Sequence, residues 1–363
     1  MKSLVFTVTN DLNYDQRMAR ICGTLASNGY KVTLIGRKRR NSPPLLPREY
    51  NQKRLPCFFD KGKLFYLEYN FKLFWFLIFR SFYAVCAIDL DTILPAFLVC
   101  KLRGKVLVYD AHEYFTEMEE IVRRPAIKAA WSALERFTLP RIKHAYTISD
   151  GYARLYMETY DRVFEVIRNV PRTSSIPNIE TPSTNRIIQY QGALNIGRGL
   201  EEAIQAVSEL DGFTLRIFGD GPISETLNEL VQELKAEEKV EFMGLFSPAD
   251  LREKTQQAWI GLCLFSDTGL HHQYSLGNRF FDYFHAGIPQ ISMDFPEYKA
   301  FNLKYGVATL IPELNKDTIK SAILELDVNT QMYKQLKMNC AKAREDNCWE
   351  KESVKLLSFY SKI

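Results

Sequence analysis

Strand-like and helix-like patterns alternate almost from end to end of this chain, and the alternation breaks once and restarts. SLVFTVT, KVTLIG, YAVCAI, KVLVYD and AYTIS are short β-rich runs between residues 3 and 149, separated by helical stretches such as Pro125 to Pro140. In the first of these stretches Met18, Ile21, Cys22 and Leu25 recur at i, i+3, i+4 and i+7, and Gly29 stops the helix. The break falls at 171–184, where PRTSSIPNIETPST carries no periodicity and reads as a linker. RIIQYQG, TLRIFG, KVEFMG, WIGLCLF and IPQIS then resume the alternation. Such a pattern predicts a parallel sheet with helices on both faces, and its restart predicts two. The fold class is therefore α/β, with two doubly wound, Rossmann-like domains facing across a cleft. They span 1–170 and 185–348, and a last helix of about 349–363 is able to pack back on the first. In that helix Val354, Leu357 and Tyr360 fall on one side.

The 363 residues suit two domains of ordinary size. Seven cysteines include no C-x-x-C pair and lie mostly in apolar surroundings, which favours reduced thiols and a cytoplasmic protein. The N-terminus turns polar after seven residues, too soon for a signal peptide, and no apolar run reaches a membrane span. The charge is uneven. Through Val170 there are 27 Lys and Arg against 17 Asp and Glu, a net of +10, and the remainder carries −6. Different partners for the two halves follow from that asymmetry. Arg37, Lys38, Arg39, Arg40, Lys53, Arg54, Lys61 and Lys63 lie near KLFWFLIFR, from Lys72 to Arg80. Such a mixture suits peripheral contact with an anionic membrane, at the inner face of the cytoplasmic membrane. The structural alternative for Phe74 to Phe79 is a buried helix flanking the sheet. No nucleic-acid motif accompanies the charge, so no nucleic-acid partner is expected.

Ligands of open α/β sheets bind outside the carboxyl ends of the strands, and the distinctive motifs stand just there. GALNIGRGLEEAI follows RIIQYQ. Gly192 lets a ligand approach the backbone, and Gly197 and Gly199 flank Arg198 at a strand-to-helix junction. Arg198 suits a phosphate there, because its fork can donate two hydrogen bonds. Gly219, Asp220, Gly221 and Pro222 make a tight turn into a helix, with Pro222 near its first turn. GLFSPADL, which contains Phe246, starts another helix capped by Ser247. YSLGNRFFDYFHAGIPQI (274–291) reads as a loop, a helix from about Asn278 to Ala286, a stop at Gly287 and a strand. Arg279 lies in the first turn, where backbone N–H groups favour anions, and Asp282, three residues on, shares its face. In the first half His112, beside Asp110 and Glu113, follows KVLV. Asp89 and Asp91 follow another strand, and Asn10, Asp11, Asp15 and Arg17 follow the first. Each of these segments also has an ordinary structural reading as a turn, a cap or a surface ion pair. Two carboxylates at i,i+2 do not make a metal site, and the adjacent His271–His272 pair lacks helical zinc spacing. No metal is expected.

Taken in order, G-x-L…RGL, FGDGP, GLFS and FDYFHAGIPQI resemble the retaining glycosyltransferases of family 4, which have the GT-B fold. TNDLNYDQR, DLDT, YDAHEYFTE and IRNVP look like a branch from bacterial surface-polysaccharide clusters. The resemblance covers most of the chain. It implies a nucleotide-diphosphate sugar donor (UDP- or GDP-linked) on the C-terminal domain. It further implies a glycan or lipid-linked acceptor on the N-terminal domain, transfer with retention, and no cofactor. It implies that Arg198 holds the donor diphosphate, Asp282 the ribose, and His112 the donor sugar. Ser149 and Asn169 match positions near the cleft and hinge. The donor side would comprise Gly192, Gly197, Gly219, Asp220, Gly221, Phe246, Tyr274, Ser275, Leu276, Gly277, Asn278 and Asp282. The acceptor side would comprise Asn10, Asp15, Arg17, Asp89, Asp91 and Glu113. Three departures stand out. Tyr274 replaces the first Glu of the family's Glu-x7-Glu motif, Ala193 replaces a frequent Arg, and Asn10–Asp11 replace a glycine-rich loop. Arg279 is expected to supply the missing cation beside Arg198. The departures also admit a silent nucleotide- or sugar-binding scaffold, or a sugar-nucleotide epimerase, on the same fold.

Overall fold

The computed structural model describes residues 1–13, 15–173 and 186–363. The linker expected at 171–184 therefore lies largely outside the described residues. The chain divides into two compact units, Met1–Asn169 with Glu352–Ile363, and Val170–Lys351.

The first unit holds a seven-stranded sheet: β1 (Ser3–Thr7), β2 (Lys31–Lys38), β3 (Asn51–Pro56), β4 (Ala84–Ile88), β5 (Val106–Ala111), β6 (His144–Thr147) and β7 (Glu165–Val166). The order is β3-β2-β1-β4-β5-β6-β7, and every pairing is parallel. The second unit holds β8 (Arg186–Gln191), β9 (Phe213–Phe218), β10 (Val240–Gly244), β11 (Ile260–Cys263), β12 (Gln290–Met293) and β13 (Ala308–Ile311). Its order is β10-β9-β8-β11-β12-β13, again all parallel. Both sheets are thus doubly wound. Strand order reverses between β1 and β4 and between β8 and β11, and crevices at such reversals are where this architecture takes ligands.

Burial follows the periodicity. Met18, Ile21, Cys22 and Leu25 of the Gln16–Ser27 helix are almost wholly inaccessible. A side chain of that kind contributes about 1.5–3 kcal/mol on burial. Asp15 caps the helix by accepting from the Met18 N–H. All seven cysteines are free, six of them buried and Cys57 partly so. Among the described residues no helix is long and apolar enough to cross a membrane.

Several sequence expectations need correction. β3, β7 and β13 were not anticipated. The tight turn after β9 does lead into a helix, which begins at Ser224 with Pro222 just ahead of it. In the Trp349–Ser361 helix the buried side comprises Leu356, Phe359 and Tyr360, and Val354 is exposed. Arg37 is not a free surface cation. Its guanidinium lies 4.3 Å over the Phe65 ring and donates to the Asp60 carbonyl.

Candidate functional site

In the second unit the loops after β8, β9 and β11 meet at the switch point. The Gly192 N–H donates to Phe218 O (2.9 Å) and the Leu194 N–H to Asp220 O (3.1 Å), which joins the first two loops. A Cβ on Gly219 would stand 1.9 Å from the Gly192 carbonyl oxygen, and φ there is +143°. Only glycine permits this contact. Asp220 Oδ1 accepts from the Gly221 N–H and the Ser224 hydroxyl, so its carboxylate shapes the turn. Gly197 O accepts from the Ser266 N–H (2.9 Å), which ties the loop to the end of β11. Gly199, at φ +68°, caps the Leu200–Ser208 helix, and Arg198 stands just ahead of it.

Two arginines converge here on one aromatic ring. The Arg198 guanidinium lies 5.0 Å from the Phe265 centroid and that of Arg279 lies 4.8 Å from it. Arg279 also covers the Tyr190 ring at 4.3 Å. Its residue is 8% exposed, and its Nη1 atom is buried without a hydrogen-bond partner. Burial works against the charge, but Tyr190, Cys263 and Tyr283 hold its pKa above the ordinary arginine value. An ideal Cβ on Gly192 would lie 3.7 Å from this guanidinium, so the absent side chain leaves the cation an approach over exposed backbone. A charged donor fixed by aromatic rings beside open backbone is suited to phosphate oxygens.

The helix that carries Arg279 runs Asn278–His285, with Gly277 at its N-cap. Gly277 donates to the Tyr298 hydroxyl at 3.0 Å and packs on Phe265. Ser275 is buried and donates to His271 O (2.8 Å), and Leu276 is buried beside it. Tyr274 is half-buried, and Asn278 is exposed at the helix start. Phe246 packs edge-on against Phe218 at 5.3 Å. The expectation of one shared face for Arg279 and Asp282 is refined. Asp282 accepts from Gln191 Nε2 at 3.0 Å and borders a cavity of about 40 Å³ with Arg172, Arg252, Thr255 and His285. Arg279 instead covers Tyr190, the residue before Gln191, so the two side chains engage successive residues at the end of β8. Sequence reasoning missed Tyr190, Gln191 and Phe265. Their position at the carboxyl ends of β8 and β11 was the available signal.

In the first unit the candidates gather at the β1–β4–β5 ends. Asp89 adopts φ +55°, unusual for a non-glycine residue. It accepts from the Glu113 N–H at 2.8 Å. Burial, then the charges of Glu113 and Asp91, push its pKa well above the usual carboxylate range. Burial raises Asp91 to about 6, although the Thr9 hydroxyl donates to it at 2.5 Å. His112 Nδ1 stands 3.6 Å from Glu113 Oε1. Asn10 donates to Asp15 and accepts from the Leu12 N–H, so both residues are tied to the loop and helix cap. Arg17 is corrected. It is buried, paired in two hydrogen bonds with Asp110 (3.1 and 2.7 Å), and donates to Ile167 O. It braces the sheet. Among the described residues no group of three or more His, Cys, Asp or Glu is placed to hold a metal ion.

Residues 171–343, nearly all of the second unit, match the family model for glycosyl transferases group 1. A lipopolysaccharide core biosynthesis glycosyltransferase, LpsD of Rhizobium meliloti, is 31% identical over 90 residues. That match spans 23% of this chain and 26% of the relative. Sucrose-phosphate synthase from Thermosynechococcus elongatus superposes with a TM-score of 0.80 at 13% identity, covering 100% of this chain and 99% of that one. Anabaena HepE in complex with UDP and glucose gives 0.78 at 12% identity, covering 100% of each chain. At such identities the likeness establishes the fold, which is GT-B.

Proposed function

We propose that this chain is a glycosyltransferase that moves a sugar from a nucleotide-diphosphate sugar to a glycan or lipid-linked acceptor in cell-surface polysaccharide synthesis. The observation that carries the proposal is Arg279, buried on Tyr190 and Phe265 with an unpartnered N–H, beside Gly192 and on the same ring as Arg198. The group 1 family match over this unit supports it, and the UDP and glucose named for HepE favour a UDP-linked donor over a GDP-linked one. The LpsD likeness supports a surface-polysaccharide acceptor.

In this reading Arg198 and Arg279 receive the charge that grows on the β-phosphate as the glycosidic bond breaks. The N-terminus of the Leu200–Ser208 helix adds its backbone N–H groups. Preorganised donors of this kind are worth on the order of 10²–10³ in rate each. Asp282, steadied by Gln191, serves the ribose, and Phe246 and the 274–278 loop complete the donor side. His112 serves the donor sugar, and Asp89, Asp91, Glu113, Asn10 and Asp15 serve the acceptor. Transfer proceeds with retention and without a metal ion, the departing phosphate taking the acceptor's proton. The enzyme works at the inner face of the cytoplasmic membrane.

The test is product analysis with UDP-glucose, UDP-galactose and GDP-mannose, with and without a lipid-linked oligosaccharide acceptor. Release of the nucleoside diphosphate, faster with acceptor, supports transfer. Nucleotide binding with no turnover of any donor would make the chain a silent scaffold, and isomerisation without acceptor an epimerase.

A further inference from the structure

We infer that the outer face of the Gly62–Ile78 helix in the first unit is a docking surface for a bilayer rich in anionic phospholipid. The inference deepens the lipid-linked acceptor reading by assigning a surface to the membrane, and its observations are independent of the donor site. The sequence GKLFYLEYNFKLFWFLI is apolar nearly all round. Phe65, Tyr69, Leu73 and Leu77 form its buried stripe. The opposite side is normally polar when it faces water, yet here Leu64, Leu67, Phe71 and Trp75 are 54%, 70%, 63% and 46% exposed. Phe79, just past the helix, is 80% exposed and stacks on Trp75 at 5.8 Å. A contiguous apolar patch of this kind marks an interaction surface.

The neighbouring Ile93–Arg103 helix extends the patch with Leu98 and Leu102, exposed by 37% and 70%. Arg103 fixes the two helices together by donating to Leu77 O (2.9 Å) and Arg80 O (2.5 Å). The rim is cationic. Lys61 and Lys63 stand at one end of the patch, Arg80 at the other, and Lys101 on the second helix, all exposed. Glu68 is the sole carboxylate on either helix, and it is engaged by Lys72 (2.6 Å) and the Phe58 and Phe59 N–H groups. Beyond the second helix, Lys101, Lys105, Arg141, Lys143 and His144 line a pocket of about 600 Å³, ready for headgroup phosphates. Aromatic and aliphatic side chains ringed by cations suit the boundary between acyl chains and anionic headgroups. A second copy seated on this face in two-fold fashion would set the same cations against one another, which charge complementarity disfavours.

The experiment is flotation of the full chain with vesicles of phosphatidylcholine, with and without phosphatidylglycerol, over a salt series. The chain is expected to float with the phosphatidylglycerol vesicles and to be released as salt rises. Leu67→Ser, Phe71→Ser and Trp75→Ser together are expected to weaken binding at least about tenfold, with circular dichroism and UDP affinity unchanged. A second variant, Arg80→Gln with Lys101→Gln, keeps the apolar face and is expected to flatten the salt dependence. No flotation with anionic vesicles would overturn the inference. So would undiminished flotation of the triple variant, or a lipid-free dimer in sedimentation that the triple variant dissociates. Loss of UDP binding by wild type would instead count against the donor site and leave the vesicle result standing.

Discussion

Replacing Arg279 with methionine is expected to damage nucleotide binding while leaving the free protein about as stable as before. Two contributions nearly cancel in the free protein. The cation stacks on Tyr190 at 4.3 Å and Phe265 at 4.8 Å, each contact worth about 0.5–2 kcal/mol. Against this, its Nη1 donor is buried and unsatisfied, at a cost of about 1–3 kcal/mol. Methionine keeps the apolar stem and removes the unsatisfied donor, so unfolding stability should change by less than about 2 kcal/mol. Binding has no such offset. A hydrogen bond to a charged phosphate contributes about 1.5–3 kcal/mol, so UDP affinity should fall roughly 10- to 150-fold. Urea unfolding and titration calorimetry on one preparation test both halves. Destabilisation beyond about 3 kcal/mol with UDP affinity intact would make Arg279 a core strut and refute the reasoning.

Gly219→Ala should force the β9 turn away from Gly192, at a cost of about 1–3 kcal/mol and with weaker UDP binding. Gly212→Ala shares the positive φ (+80°) but its added Cβ meets nothing within 4 Å, so it is the control for backbone strain alone and should leave UDP affinity unchanged. Glu135, buried and held by Thr116 and Tyr160, is raised by burial from 4.5 to about 7. Its raised folded pKa means that its stabilisation is complete below pH 4.5 and lost as pH rises to about 7. At about 1.36 kcal/mol per unit this amounts to about 3 kcal/mol, and Glu135→Gln should flatten that part of a denaturation-against-pH series. Arg17→Met would strand the buried Asp110 carboxylate and should cost about 3–5 kcal/mol of first-unit stability in urea. An acceptor contact would instead lose transfer without destabilisation.

The alternation of strands and helices was legible because parallel strands, buried on both faces, read as short apolar runs. β3 escaped because NQKRLP is an edge strand with little buried area and no apolar run. Gly219 was legible as part of a tight turn, but its close approach to the Gly192 carbonyl was not, because it depends on how two loops distant in sequence meet. Arg198 and Arg279 could be nominated from junction positions. Tyr190 and Phe265 had only their strand-end positions as a signal, because a ring that carries a cation and a ring that fills a core have the same sequence signature. Arg17 was misread for a related reason. Its partner Asp110 is 93 residues away, and only the β1–β4–β5 order brings them together. Val354 shows how a helix-phase error exchanges a buried face for a solvent one.

The most direct test of the donor site is calorimetric titration of UDP and of uridine, in the presence of a chelator, into wild type and into an Arg198→Ala, Arg279→Ala double variant. Wild type should bind UDP far more tightly than uridine, and the double variant should lose most of that difference while binding uridine as before. An equal UDP-over-uridine advantage in both proteins would contradict the assignment of the diphosphate to these two arginines.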